Sequence, residues 1–266
     1  MTKTIFITGT SAGIGKATAK LFAAKGWKVI ATMRRPENDT ELARLNNVTV
    51  LPLDVTDLDQ IKDATQKALS LGNIDVVFNN AGYALLGPLE ATTDEQIVKQ
   101  METNFLGTVR VVQAFIPNFK AKKSGLFINM TSSAGIMAFP FSSMYDASKW
   151  ALEGWSESLS FELEQFNIGI KNIEPGLVAT DMSERTILPS HTDYDDLLAK
   201  FLAIVNNPQS ISTPEQIAEI VYEAATDGKD ILRYVCGEDA KAMYAQRLEV
   251  GDEAFRKGLK QLIFGE

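Results

Sequence analysis

Short apolar runs alternate along this chain with longer stretches in which apolar residues recur every three or four positions. That is the pattern of β-α-β units wound about a parallel sheet. Residues 3–8 are a compact apolar run bounded by glycine and predict the first strand. Over 14–25, Ile14, Ala17, Leu21 and Ala24 fall on one helical face, and Gly26 supplies the stop. Strands are predicted at 27–33 and 48–53, a helix at 58–71 with Asp57 near its start, and a fourth strand at 74–78. Residues 95–122 have helical spacing, in one or two segments. A fifth strand (126–131), a long helix (143–166) and a sixth strand (168–173), ended by Pro175-Gly176, complete the regular part. The expectation is an α/β fold: a doubly wound parallel sheet between two helical layers.

Beyond Gly176 the pattern loosens. Residues 180–212 hold short helical pieces and loops, with breaks at Pro189 and Pro208. Thr213-Pro214-Glu215 is a helix start, and the helix is expected to run to 225. A last short strand is expected at 233–236, and a helical region at 241–264 inside a C-terminal extension, 237–266. No internal repeat or low-complexity tract interrupts the chain, so 1–266 reads as a single domain.

Composition narrows the chemistry. The 266 residues include 26 Lys and Arg against 34 Asp and Glu, a formal net charge of −8. Such an acidic surface argues against general attraction to nucleic acid or anionic lipid. Cys236 is the only cysteine and His191 the only histidine. An intrachain disulfide and a histidine-cluster metal site are excluded, and no metal is expected. No apolar stretch reaches the roughly 18–20 residues of a membrane span, and the N-terminus lacks a secretory pattern. A soluble cytoplasmic protein is the expectation.

Between the first strand and its helix lies Thr8-Gly9-Thr10-Ser11-Ala12-Gly13-Ile14-Gly15. Glycines there permit a tight turn and close approach of backbone N–H groups to an anion, and the following helix aims its positive end at a diphosphate. The spacing is Gly-x-x-x-Gly-x-Gly rather than the commoner Gly-x-Gly-x-x-Gly. Three glycines in a turn also fit simple tight packing, but the flanking strand and helix favour nucleotide binding. At the end of the second strand, where an acid would favour NAD, the chain reads Thr32-Met33-Arg34-Arg35. Guanidinium groups there can pair with a 2′-phosphate, so NADP is expected over NAD. A solvated turn is the plain alternative.

Tyr145-Asp146-Ala147-Ser148-Lys149 opens the long helix and puts Tyr145 and Lys149 one turn apart on one face. A free phenol titrates near about 10. A neighbouring ammonium, with the positive nicotinamide ring of the oxidised cofactor, lowers that value, so Tyr145 is expected to exchange a proton with an alcohol or carbonyl near neutral pH. Alone, Tyr-x-x-x-Lys is a weak motif.

Together these pieces resemble the short-chain dehydrogenase/reductase family across roughly residues 3–236. The matching segments are TGTSAGIG at 8–15, LDVT at 53–56, NNAG at 79–82, Asn104, NMTSSAG at 129–135, YDASK at 145–149 and PGLVATDM at 175–182. Their order and spacing carry a specificity that none has singly. The likeness is to the compact subgroup of NADP-dependent ketoreductases and 17-beta-hydroxysteroid dehydrogenase-like members, and implies a Rossmann-like fold. It implies that Ser132 holds and polarises a substrate carbonyl, with Ser133 as the rival hydroxyl. Tyr145 would be general acid or base, Lys149 would bind the nicotinamide ribose and depress the tyrosine pKa, and Asn104 would hold a relay water. A satisfied helix-kink asparagine is the alternative for Asn104. For the cofactor it implies Gly9, Ser11, Ile14 and Gly15 at the phosphates, and Asp54 and Val55 at the adenine. Asn80, Ala81 and Gly82 would border the ribose, with Asn79 structural. Pro175, Gly176, Val178 and Thr180 would meet the nicotinamide.

The function implied is hydride transfer between NADP(H) and a carbonyl/secondary alcohol pair. Ile136, Met137, Phe139, Phe141 and Met144 form an apolar cluster that would suit a bulky hydrophobic ketone or aldehyde, or else serves packing or a subunit contact. The resemblance implies that substrate choice resides in the loops 83–86, 136–144, Leu177 and 180–212. Two other classes stay open: an epimerase or dehydratase using transient hydride transfer, and a nucleotide-sensing regulatory protein. The resemblance also implies a homodimer or homotetramer formed through 104–122 and 143–166.

Overall fold

The computed structural model describes residues 2–180, 186–206 and 210–265. Seven strands form one sheet: β1 (Thr4–Thr8), β2 (Lys28–Met33), β3 (Val48–Pro52), β4 (Val76–Asn79), β5 (Gly125–Met130), β6 (Ile168–Pro175) and β7 (Arg233–Cys236). Their order is β3-β2-β1-β4-β5-β6-β7 and every pairing is parallel. Parallel strands need crossovers, which cover both faces with helices. Hence every residue of β1 and β4 is buried. The order reverses between β1 and β4, which opens a crevice beyond their carboxyl ends.

The helices are α1 (Gly13–Ala24), α2 (Leu58–Ser70), α3 (Asp94–Met101), α4 (Gly107–Lys122), α5 (Ser143–Glu164), α6 (Asp195–Asn206), α7 (Pro214–Thr226), α8 (Glu238–Val250) and α9 (Asp252–Phe264). On one face of the sheet Phe22 of α1 and Ile217 and Val221 of α7 pack on Ile5, Ile7, Val29 and Phe78. On the other, Ile61 of α2, Phe115 and Phe119 of α4 and Leu159 of α5 pack on Phe6, Val77 and Phe127. The three-layer expectation is met.

Differences from the sequence pattern are local. The helical stretch expected over 95–122 is continuous but carries one π-helical turn, Glu102–Leu106. The sixth strand extends to Pro175, because Pro175 still sits in register with Cys236 of β7. The terminal helical region divides at Gly251 (φ 81°) into α8 and α9. Within 180–212 the described part holds a 3₁₀ turn, Thr192–Tyr194, and α6. Residues 181–185, which include the end of the 175–182 motif, and 207–209, with Pro208, lie outside the described residues. Among the described residues no helix is long and apolar enough to cross a membrane, and no cluster of metal-ligating side chains occurs.

Candidate active site

The crevice at the sheet's switch point encloses about 1000 Å³. One wall is the turn from β1 into α1. Gly9 adopts φ 72°, and a β-carbon there would lie 2.8 Å from Ala81 Cα, so the turn can seat against the loop after β4 only as glycine. Asn80 locks the two together: its amide nitrogen donates to the carbonyls of Thr8 (3.1 Å) and Gly9 (3.0 Å). The start of α1 is left open to the crevice. Its N-cap, Ala12, has no side-chain cap and its first turn holds no acid. By contrast α2, α3 and α7 are capped by Asp57, Thr93 and Thr213. Uncapped N–H groups at a helix start, with no acid near them, fit an anionic phosphate.

Of the residues expected at the cofactor, all but Gly15 line this crevice. Gly15 stands behind the wall, where a β-carbon would collide with Gly9 O and Asn80 Nδ2. Its role is close packing of the turn. Arg34 lines the crevice at the end of β2 and is exposed, whereas Arg35 does not line it and instead precedes the 3₁₀ turn Pro36–Asn38. Asp54 is fixed after β3, its carboxylate accepting from Thr56 N (3.0 Å) and Thr56 Oγ1 (2.7 Å).

At the other end stand Ser132, Tyr145 and Lys149. Ser132 follows β5 and caps the 3₁₀ turn Ser133–Gly135, its Oγ accepting from Ala134 N at 3.1 Å. Its hydroxyl donates to Pro175 O at 3.5 Å and faces the Tyr145 phenol. Both serines are buried, but only Ser132 lines the crevice. Lys149 is buried, its Nζ donating to Met130 O at 2.8 Å and standing 5.7 Å from the Tyr145 ring centre.

Burial dominates the electrostatics of Tyr145 and Lys149. Burial pushes the Tyr145 phenol up to about 12; the Ser132 hydroxyl pulls the other way and the Asp146 charge adds to the rise. Lys149 is brought down to about 8 by its own burial, against the upward pull of Glu153. Loss of water around the charged form sets the direction at both groups and leaves Tyr145 a neutral phenol.

Asn104 does not face the crevice. It sits in the π-helical turn, its Oδ1 accepting from Tyr83 N (3.1 Å) and its Nδ2 donating to Tyr83 O (3.0 Å) and Ser148 Oγ (3.1 Å). Its amide is fully engaged in holding the loop after β4 to α5, one residue from Lys149. Asn79 is structural as expected, donating to Asn129 Oδ1 at 2.9 Å across β4 and β5.

The apolar cluster is also placed differently. Ile136 and Met137 pack with Phe139 against Met243 and Tyr244 of α8 and Phe255 and Leu259 of α9. Phe141 packs with Leu198 and Phe201 of α6 and Ile263 of α9. None of these four lines the crevice. The C-terminal helices bury Ile136 and Met137, while Phe139 and Phe141 are half-buried against them; Met144 is half-buried and also does not line the crevice.

Two features, Asp239 and Glu153, are not among the residues expected at the site, whereas Tyr83 and Ile187 lie in expected substrate loops. Tyr83 and Ile187 line the crevice, and Ile187 is tied to the loop after β4 by a bridge to Leu85. Asp239 of α8 accepts from Leu177 N at 2.7 Å and occupies the space beside Gly176, so the C-terminal extension props the wall formed by 175–178. Glu153, one turn beyond Lys149, is buried with Glu174 and Asn172 of β6. A charged residue continuing the Tyr145–Lys149 face was the available signal for it.

Comparison with known proteins agrees with this geometry. The profile of the short chain dehydrogenase family matches residues 3–188. An uncharacterised oxidoreductase of Schizosaccharomyces pombe is 39% identical over 226 residues, 84% of this chain and 96% of its own length. The human 17-beta-hydroxysteroid dehydrogenase type 1 is 33% identical, over 92% of this chain and 80% of that protein. Among solved structures, a short chain dehydrogenase from Burkholderia cenocepacia in complex with NADP superimposes with a TM-score of 0.79 at 25% identity, covering 97% of each chain.

Proposed function

We infer the reaction from one premise: the chain belongs to the short-chain dehydrogenase family. It is an oxidoreductase with a Rossmann-like fold. We propose that it transfers hydride between NADP(H) and a carbonyl/secondary alcohol pair, acting as a reductase on a bulky hydrophobic ketone or aldehyde. The observation that carries this is the Ser132 hydroxyl facing a neutral Tyr145 phenol, beside buried Lys149, at one end of a dinucleotide-sized crevice.

The residues present fit such a cofactor. The open start of α1 would take the diphosphate, Arg34 the 2′-phosphate, and Asp54 and Val55 the adenine. Lys149 would take the nicotinamide ribose, and Val178 and Thr180 the carboxamide. NADP in the Burkholderia relative, and the absence of an acid at the end of β2, support the phosphorylated form. When bound, NADPH supplies the hydride.

The chain's own part is proton and charge handling. Ser132 donates a hydrogen bond to the carbonyl oxygen and orients it. As negative charge grows on that oxygen, Tyr145 gives it the phenolic proton, which completes the alcohol. The Lys149 ammonium, held by Met130 O, then stabilises the phenolate left behind. Ile187 and Tyr83 offer the apolar contacts for the substrate body. The named substrate class of the human hydroxysteroid relative supports a hydrophobic choice.

Tyr145→Phe is expected to remove turnover of NADPH with a panel of apolar ketones, by about a thousandfold or more, while nucleotide affinity from fluorescence titration stays within a few fold. Substantial residual turnover would overturn the proton role. Conversion of substrate with no net NADPH consumption would overturn the reductase assignment. Self-association through α4 and α5 belongs to the same reading, supported by the exposed Phe161 on α5. A monomer in sedimentation velocity would remove that part.

A further inference from the structure

The face of α5 that carries Tyr145 and Lys149 continues one turn on to Glu153, whose side chain is 4% exposed. Opposite it on β6 stands Glu174, fully buried. The two carboxyl groups lie within hydrogen-bonding reach of each other. Arg233 of β7 closes the cluster toward solvent. Its Nε donates to Glu153 Oε2 at 3.0 Å and lies 3.7 Å from Glu174 Oε1, while Nη2 donates to Glu157 Oε2 at 2.7 Å. Asn172 Nδ2 donates to the same Glu153 Oε2 at 2.9 Å.

The donors therefore converge on a single oxygen. Glu153 Oε1 and both Glu174 oxygens are buried without a hydrogen-bond donor from any described residue. Two neighbouring carboxylates, one at zero exposure, cannot both stay charged beside one guanidinium that also serves Glu157. A proton on one carboxyl removes the repulsion and supplies the missing donor to the other. The cation on the remaining side is Lys149, on the same helical face.

We propose that Glu153 and Glu174 hold one proton between them, and that the single remaining negative charge, carried by Glu153, is the counter-ion that keeps Lys149 in its charged form. Glu153 and Glu174 are positioning residues: they act through Lys149 and touch neither substrate nor reacting atoms. The counter-ion half rests on the role given to Lys149 above; the shared proton does not.

The charged and titratable groups facing the pair are Lys149 and Glu157 on α5 and Arg233 and Cys236 on β7. Burial first, and then the Glu153 charge, hold Glu174 up at about 9 against the pull of Arg233. Glu153 in turn raises Lys149 against the burial that brings it down to about 8.

The test has an arm without turnover and an arm with it. In infrared spectra at pH 7, the wild-type protein is expected to show the C=O stretch of a buried protonated carboxyl, and Glu174→Gln to lack it. An acid whose folded pKa is raised is protonated when folded and ionised when unfolded, so it lowers stability progressively as pH rises between the two values. The wild-type melting temperature should therefore fall between roughly pH 5 and pH 9 in part through Glu174, and Glu174→Gln should flatten that slope. In the kinetic arm, Glu153→Gln should move the alkaline limb of kcat/KM down by roughly one pH unit. If Glu153→Gln does not fold, Glu153→Asp should show a smaller shift in the same direction. An unchanged carboxyl band and melting slope in Glu174→Gln overturn the shared proton. An unmoved alkaline limb overturns the counter-ion role. If Tyr145→Phe keeps its activity while Glu174→Gln loses the band and the slope, the catalytic reading has failed and the acid pair stands.

Discussion

At Arg34 a single guanidinium carries the nucleotide preference proposed for the crevice. It is exposed and lines the crevice, while its neighbour Arg35 turns into the following 3₁₀ segment. A charge-assisted hydrogen bond to a 2′-phosphate is worth about 1.5–3 kcal/mol. Arg34→Ala is therefore expected to lower the NADPH-to-NADH ratio of kcat/KM by about tenfold to a hundredfold, and Arg35→Ala to leave it in place. Steady-state kinetics with both nucleotides checks this; an unchanged ratio in Arg34→Ala would remove the phosphate contact. The Tyr145–Lys149 face was readable from helix spacing, and Ser132 from the family resemblance. Their proton affinities were not. The phenol's rise and the lysine's fall both come from burial, and burial is a property of what other segments place around a residue.

At the scale of elements, periodicity located every strand and every crossover helix, because two-sided burial imposes apolar runs on strands and an apolar stripe on helices. It did not show which polar residues those elements would bury. Lys171 of β6 illustrates this. It is 6% exposed, yet its Nζ reaches Asp227 Oδ1 (2.7 Å), Ala224 O (2.8 Å) and Tyr234 Oη (2.9 Å). Burial would raise Asp227, but the Lys171 and Tyr234 hydrogen bonds reverse this and hold it at about 2. A carboxyl with a depressed folded pKa contributes stability that is present above its unfolded value and is lost as pH falls toward the folded one. Asp227→Ala leaves Lys171 buried without its counter-charge and should cost about 3–5 kcal/mol in urea denaturation at pH 7. Much of that difference should vanish as pH falls toward about 2, where the wild-type carboxyl also loses its charge. A wild-type midpoint in Asp227→Ala would show that the pair contributes nothing.

At the scale of the whole molecule, the C-terminal extension is part of the site's support. Phe255 of α9 is 6% exposed and packs on Ile136 and Met137, just beyond the turn that presents Ser132. Asp239 of α8 holds Leu177 in the opposite wall. Phe255→Ala should cost about 3–5 kcal/mol by chemical denaturation, and should raise KM for an apolar ketone more than KM for NADPH. Equal effects on both constants would count against a link between α9 and the substrate end.

By itself the sequence determined the layers of the fold, the nucleotide-facing turn and the Tyr145–Lys149 face, since each depends on spacing along one segment. Tertiary structure decided what covers what. It placed α8 and α9 over the apolar residues after β5, engaged Asn104 in holding a loop, and brought Glu174 and Arg233 to the rear of α5. These contacts join segments far apart in the chain, and desolvation, which sets the charge state of Tyr145, Lys149 and Glu174, follows only from such contacts.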